Sequence, residues 1–173
     1  GPGVDIAEGQ RVALRESREI GQVGYGHMAE YALQPAHSLI LLPEDEVPDT
    51  EFMVEPAACC VNAVNISPVH SGERVALVGA GYMGSILLQL LTIDTREQPV
   101  KGSWVDTEGS FDMVVETTGV EPGFRLADSL VRPGGRLVIF SWQHHPINFN
   151  FGTWHERGIT VHNSSPAESW NMT

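Results

Sequence analysis

Three glycines between two apolar runs carry the clearest chemical signal in this chain. Residues 74–91 begin as an apolar strand, break into Gly-x-Gly-x-x-Gly and continue as an apolar helix. Gly79 allows a tight turn, Gly81 lets the backbone approach a pyrophosphate, and Gly84 lets the helix lie against the strand. The helix N-terminus at Tyr82-Met83 then faces the phosphates. The pattern predicts a dinucleotide-binding turn.

The segments after this motif alternate between strand and helix patterns, which predicts a parallel sheet with crossover connections. Thr117, Thr118 and Gly119 follow the second predicted strand, so we expect them beside the ribose of the cofactor. A plain strand-to-helix cap explains these three residues equally well. The predicted strands are 74–78, 112–116, 136–140 and 159–162, and the predicted helices are 82–91 and 122–131.

The first fifty residues have a different character from the rest. Short strands are predicted at 11–14, 28–34 and 38–42, followed by an acidic turn. A helix is predicted over 51–65, with Pro56 tolerated in its first turn. We therefore expect two domains, residues 1–50 and residues 51–173.

Composition limits the classes of partner. The chain has 173 residues, 42% of them hydrophobic, and 22 acidic against 10 basic residues give a net charge of −12. This charge disfavours nucleic acid and anionic membrane surfaces. No apolar run approaches the roughly 20 residues of a membrane span. The adjacent Cys59 and Cys60 are predicted to be buried thiols of a soluble cytoplasmic protein.

Segments spread over nearly the whole chain carry a family resemblance. They are 9–13, 28–37, 41–43, 54–58, 79–84, 111–119, 132–140 and 154–159. With these residues the chain resembles the medium-chain dehydrogenase/reductase superfamily, the zinc alcohol dehydrogenase-like proteins. Within that superfamily it is most similar to the sorbitol and threonine dehydrogenase branch.

The resemblance implies an α/β fold: a Rossmann doubly wound parallel sheet over 51–173 with a partial GroES-like β domain over 1–50. It implies an NAD(H)-dependent oxidoreductase that transfers hydride between nicotinamide and a secondary alcohol, a polyol or the corresponding ketone. It also implies a homodimer or higher homo-oligomer that pairs through sheet edges, to which 147–151 contributes. The alternative is a truncated, non-catalytic Rossmann module that binds dinucleotide or provides a dimer surface.

One residue of the chain is a candidate zinc ligand. Glu55 matches the carboxylate that ligates zinc in sorbitol dehydrogenase-like members, and Glu55-Pro56 disfavours a zinc-free quinone reductase. A carboxylate stabilised by the helix dipole is the competing interpretation. A catalytic zinc needs three protein ligands, and the sequence has neither the Gly-His-Glu motif nor the four-cysteine lobe of the family.

The remaining candidate is the acidic residue that binds the ribose hydroxyls of adenosine. It is expected about 20 positions after the glycine motif. Asp94 has suitable neighbours but follows Gly84 by only ten positions, too few for a helix, a turn and a strand. Either the second strand and helix are truncated or residues are missing near 91/92 and within 98–104. The resemblance of 93–96 to a strand end favours missing residues. Asp94 would then select NAD over NADP, while Arg96 is compatible with NADP as the cofactor.

Overall fold

The computed structural model describes residues 6–14, 30–44, 47–94 and 108–164. The chain divides into two compact units, Gly1–Glu55 and Pro56–Thr173. The division falls in the first turn of a helix that begins at Val54.

The first unit contains a small antiparallel sheet. Strand β1 (Val12–Leu14) pairs with β2 (Leu39–Leu41), and short 3-10 turns cover Ala36–Ser38 and Asp49–Glu51. The predicted strand over 28–34 is wrong for residues 30–34, which form no strand, while 28 and 29 lie outside the described residues. Leu33 is 99% exposed, so its apolar side chain gains no packing that would favour a strand there.

The second unit is built on a parallel sheet of four described strands in the order β3-β4-β5-β6. The predicted α/β parallel fold is confirmed. The elements are α1 (Val54–Ile66), β3 (Val75–Val78), α2 (Tyr82–Asp94), β4 (Phe111–Glu116), α3 (Glu121–Leu130), β5 (Val131–Ile139), α4 (Gly152–Arg157) and β6 (Thr160–Asn163).

Apolar side chains on both faces of the sheet explain its three-layer packing. Along β4, Met113 and Val115 contribute to one buried cluster together with side chains of α1 and α2. Val114, between them, contributes to the second cluster together with side chains of α3. Successive strand residues point to opposite faces, so one continuous apolar run supplies both cores.

Two predicted boundaries shift in the structure, and one helix was not predicted. Helix α2 extends to Asp94, because neither glycine nor proline interrupts the segment after Leu91, and it crosses the proposed junction at 91/92. The second junction, 98–104, lies outside the described residues. Strand β5 begins at Val131, directly after α3, and a shift of register against β4 accommodates Pro133 and the glycine after it. Helix α4 was not predicted.

Both cysteines are buried thiols, as predicted. The Cys60 thiol donates to the carbonyl oxygen of Met83 across 3.7 Å, which links α1 to the first turn of α2. None of the helices in the described ranges is long and apolar enough to cross a membrane.

Candidate functional site

The turn after β3 has the geometry that its glycines predict. Gly79 adopts a φ of +109°, a backbone conformation that residues with a Cβ rarely adopt. A Cβ at Gly79 would overlap the hydroxyl oxygen of Thr117 and lie 3.0 Å from the Thr118 methyl carbon. Glycine is therefore required at position 79 both by conformation and by space.

The other two glycines have different surroundings. A Cβ at Gly84 would overlap the carbonyl oxygen of Gly79, so this glycine lets α2 lie against the turn. A Cβ at Gly81 would meet no atom within 4 Å. Two of the three glycines are thus explained by packing, while Gly81 borders open space in front of the helix.

The N-terminus of α2 provides the electrostatics of this space. The Ser85 amide donates to the Gly81 carbonyl oxygen over 2.9 Å, and the Ser85 hydroxyl donates to the same oxygen over 2.9 Å. The amides of a first helical turn have no acceptor within the helix, and the helix dipole adds partial positive charge there. An anion beside Tyr82 and Met83 would be bound by this backbone in a chain whose net charge is −12.

Thr117 fixes the glycine turn from the end of the neighbouring strand. Its amide donates to the Val78 carbonyl oxygen over 2.9 Å. Its hydroxyl lies 3.0 Å from the Val78 oxygen and 3.1 Å from the Gly79 oxygen. The Thr117 side chain therefore bonds the turn itself, so its position beside the site has a structural explanation.

Thr118 and Gly119 continue the same edge of the sheet toward β5. Gly119 has a φ of +70°, and a Cβ there would lie 2.9 Å from the carbonyl oxygen of Trp142. The structure thus brings the glycine motif, the loop after β4 and the loop after β5 together at the carboxyl ends of the strands. In α/β sheets this edge is where ligands bind. Contact of these residues with a cofactor stays a prediction.

Glu116 is a site residue that the sequence analysis missed. It is the last residue of β4, it is fully buried, and it bonds to Thr118 and to Ser141. The signal was present as an acidic residue directly after the apolar run Met113-Val114-Val115. Its partners after β5 could not be identified without the pairing of the two strands.

Asp94 is not at a strand end, and that expectation is wrong. It lies in the last turn of α2, twelve residues after Tyr82. At a rise of 1.5 Å per residue, its backbone is about 18 Å along the helix axis from the first turn. Binding of a cofactor ribose by Asp94 stays a prediction.

Glu55 lies in the first turn of α1 and is exposed, as the helix-dipole interpretation expects. Across the described parts of the chain, no three histidine, cysteine or acidic side chains are grouped so that they could hold a metal ion. A zinc site of three protein ligands is therefore not assembled by these residues alone. The zinc role of Glu55 stays a prediction, and no chemical step is assigned to zinc.

Comparison with curated proteins identifies several sugar-alcohol dehydrogenases and related enzymes. The chain is 28% identical over 149 residues to D-arabinitol dehydrogenase 1 of Uromyces fabae, covering 66% of this chain and 42% of the relative. It is 24% identical over 169 residues to D-xylulose reductase of Scheffersomyces stipitis, covering 80% and 47%. L-threonine 3-dehydrogenase of Pectobacterium atrosepticum is 22% identical over 184 residues, covering 88% and 50%. The chain thus spans about half the length of these relatives.

Solved structures support the same fold. A Sinorhizobium meliloti protein assigned as a zinc-binding dehydrogenase and bound to NADP superimposes with a TM-score of 0.72 at 21% identity, covering 98% of this chain and 67% of that one. Acetophenone reductase of Geotrichum candidum in complex with NAD gives 0.64 at 14% identity, covering 78% and 47%. No family model matches the chain. The resemblance to zinc-type medium-chain alcohol and polyol dehydrogenases is confirmed.

Proposed function

We propose that this chain is the dinucleotide-binding part of an oxidoreductase that transfers hydride between NAD(H) and a secondary alcohol or polyol, or the corresponding ketone. The observation that carries the proposal is the contrast between its three glycines. Gly79 and Gly84 are closely packed, whereas Gly81 faces open space at the N-terminus of α2. This arrangement fits a pyrophosphate group, and the substrate class is proposed by analogy with relatives named for polyols.

The described residues would hold the cofactor rather than react with it. The bound nicotinamide supplies the hydride chemistry. The first turn of α2 binds the pyrophosphate through backbone amides, Thr117 keeps the glycine turn in place, and Gly119 allows the loops after β4 and β5 to approach each other. In this arrangement the protein would orient the cofactor on the side of β4 and β5.

Calorimetric titration with NADH, NADPH and ADP-ribose tests the binding step. We expect NADH and ADP-ribose to bind with defined stoichiometry, because both contain the pyrophosphate that faces Gly81. Absence of heat with all three ligands would reject dinucleotide binding.

The same titrations on Asp94→Asn test cofactor selection. From the position of Asp94 in α2 we expect the ratio of NADH to NADPH affinity to be unchanged. An Asp94 that binds the ribose requires that ratio to fall.

A second candidate is a binding module without catalytic activity of its own. It is favoured by the donor set, since the described residues assemble no metal site. Incubation of the chain with NAD⁺ and a panel of polyols, followed by absorbance of the reduced nicotinamide, separates the candidates. Cofactor binding without turnover supports the module, and turnover supports the enzyme.

We further propose a homodimer in a reducing, cytoplasmic compartment. Strand β6 forms one edge of the described sheet, and an edge strand can pair with a second copy. The buried cysteines Cys59 and Cys60 are thiols and form no disulfide, which supports a reducing location. Size-exclusion chromatography with light scattering tests the dimer, and a mass equal to one chain at all concentrations would reject it.

A further inference from the structure

A fully buried carboxylate lies at the edge of the proposed site without contacting the glycine turn. Glu116 ends β4, has no exposed surface and follows Val114 and Val115, which are also buried in the same strand. Burying a carboxylate costs free energy unless hydrogen bonds compensate. An apolar residue would continue the core of this strand, so the carboxylate needs another explanation.

The two oxygens of Glu116 are divided between two loops. Oε1 accepts from the Thr118 amide at 2.6 Å, from the Gly119 amide at 3.3 Å and from the Thr118 hydroxyl. Oε2 accepts from the Ser141 hydroxyl and from Nε2 of Gln143 at 3.1 Å. One side chain therefore joins the loop after β4 to the loop after β5.

Neighbouring bonds make this junction rigid. The Phe140 and Ser141 amides donate to the Glu116 carbonyl oxygen at 3.0 and 3.2 Å. Gln143 Nε2 also lies 3.0 Å from the Ser141 hydroxyl oxygen. Removing the carboxylate would leave the backbone amides of the first loop without this acceptor and would break the side-chain link between the two loops, while the backbone bonds to the Glu116 carbonyl oxygen remain.

We propose that Glu116 is a positioning residue for the nicotinamide half of the bound dinucleotide, an inference that rests on the proposed function. The pyrophosphate lies at the turn after β3, and the two mononucleotide halves extend to opposite sides of it. Adenosine extends past β3, away from β4, so nicotinamide extends toward β4 and β5. The two loops joined by Glu116 form the wall on that side.

The test compares NADH with ADP-ribose, which lacks nicotinamide, by calorimetry on the wild-type chain and on Glu116→Gln. The amide keeps an acceptor for Thr118 and Gly119 but places an NH₂ group opposite the NH₂ group of Gln143. We expect NADH to bind about tenfold more weakly and ADP-ribose to change by less than about twofold, as for loss of a charge-assisted bond that only one ligand requires.

Two further variants distinguish positioning from general stability. The double variant Glu116→Gln with Gln143→Glu restores a carboxylate opposite an amide, so it should recover most of the NADH affinity. Val114→Ala removes buried volume from the same strand without touching either loop. It should lower the urea midpoint while leaving the ratio of NADH to ADP-ribose affinity unchanged.

Each remaining outcome overturns a defined claim. Equal weakening of both ligands by Glu116→Gln, an unchanged ratio, or equal wild-type affinity for NADH and ADP-ribose rejects the positioning role while dinucleotide binding stands. Failure of the wild-type chain to bind either ligand rejects the proposed function and the inference together.

Discussion

Replacing two glycines of the same turn separates folding from ligand binding. At Gly79, alanine has to adopt a φ of +109° and its Cβ would overlap the Thr117 hydroxyl oxygen. At Gly81, the added methyl group meets no atom within 4 Å. The two substitutions add the same methyl group to the same turn, so each serves as the matched control for the other.

The expected loss of unfolding free energy differs between the variants. For Gly79→Ala, the backbone conformation costs about 1–3 kcal/mol and the overlap costs about 1–3 kcal/mol more. For Gly81→Ala, a poorer helix cap costs up to about 1 kcal/mol, and the reduced freedom of the unfolded chain offsets about 0.4–1 kcal/mol. Urea unfolding followed by circular dichroism should show a large shift of midpoint for Gly79→Ala and a small one for Gly81→Ala.

Among folded molecules, Gly81→Ala should weaken ligand binding more than Gly79→Ala does. The methyl group of Gly81→Ala occupies the space that the pyrophosphate needs, so we expect NADH and ADP-ribose to bind at least about tenfold more weakly, or about 1.4 kcal/mol. A stable Gly81→Ala variant that binds both ligands like the wild type would refute the assignment of this space to pyrophosphate. Equal stability of the two variants would refute the packing explanation of Gly79.

Two other predictions concern stability. The Arg74 amide and the Arg132 guanidinium, each 2.7 Å from the Asp112 carboxylate, lower the pKa of that group. Its stabilisation is therefore present above the ordinary aspartate pKa of about 4 and is lost as the pH falls below it. Asp112→Asn should lower the unfolding free energy by less than about 1 kcal/mol at pH 7, because solvent screens the group, and the difference measured by chemical unfolding should shrink as the pH falls below about 4. Asp128 accepts from Nε1 of Trp154 at 2.8 Å, so Asp128→Ala should cost about 1–3 kcal/mol in urea unfolding; a change below the error of the measurement would contradict this value.

Local features were predictable from the sequence because their causes lie within a few residues. The apolar run of β3, the Gly79 turn and the start of α2 at Tyr82 depend on side-chain periodicity and on the conformational freedom of glycine. The apolar run of β4 likewise indicated a strand buried on both faces. Both ends of β3 and β4 and the start of α2 were placed within one residue of their observed positions.

Features that depend on distant partners were missed. The role of Glu116 depends on Ser141 and Gln143, which lie 25 and 27 residues away in sequence. Residues 30–34 have a strand-like pattern, yet exposed side chains such as Leu33 gain nothing from forming one. Asp94 likewise lies in a helix, although the sequence of residues 93–96 resembles a strand end.

The sequence by itself determined the strand β3, the glycine turn after it and the start of the helix α2, because glycine spacing and apolar periodicity act locally. Only the tertiary structure decided that Gly79 and Gly84 are closely packed while Gly81 faces open space. It alone also showed that one buried carboxylate joins the loops after β4 and β5. The physical reason is that free space and hydrogen-bond partners depend on which strands lie side by side, and strand pairing is not encoded in local spacing.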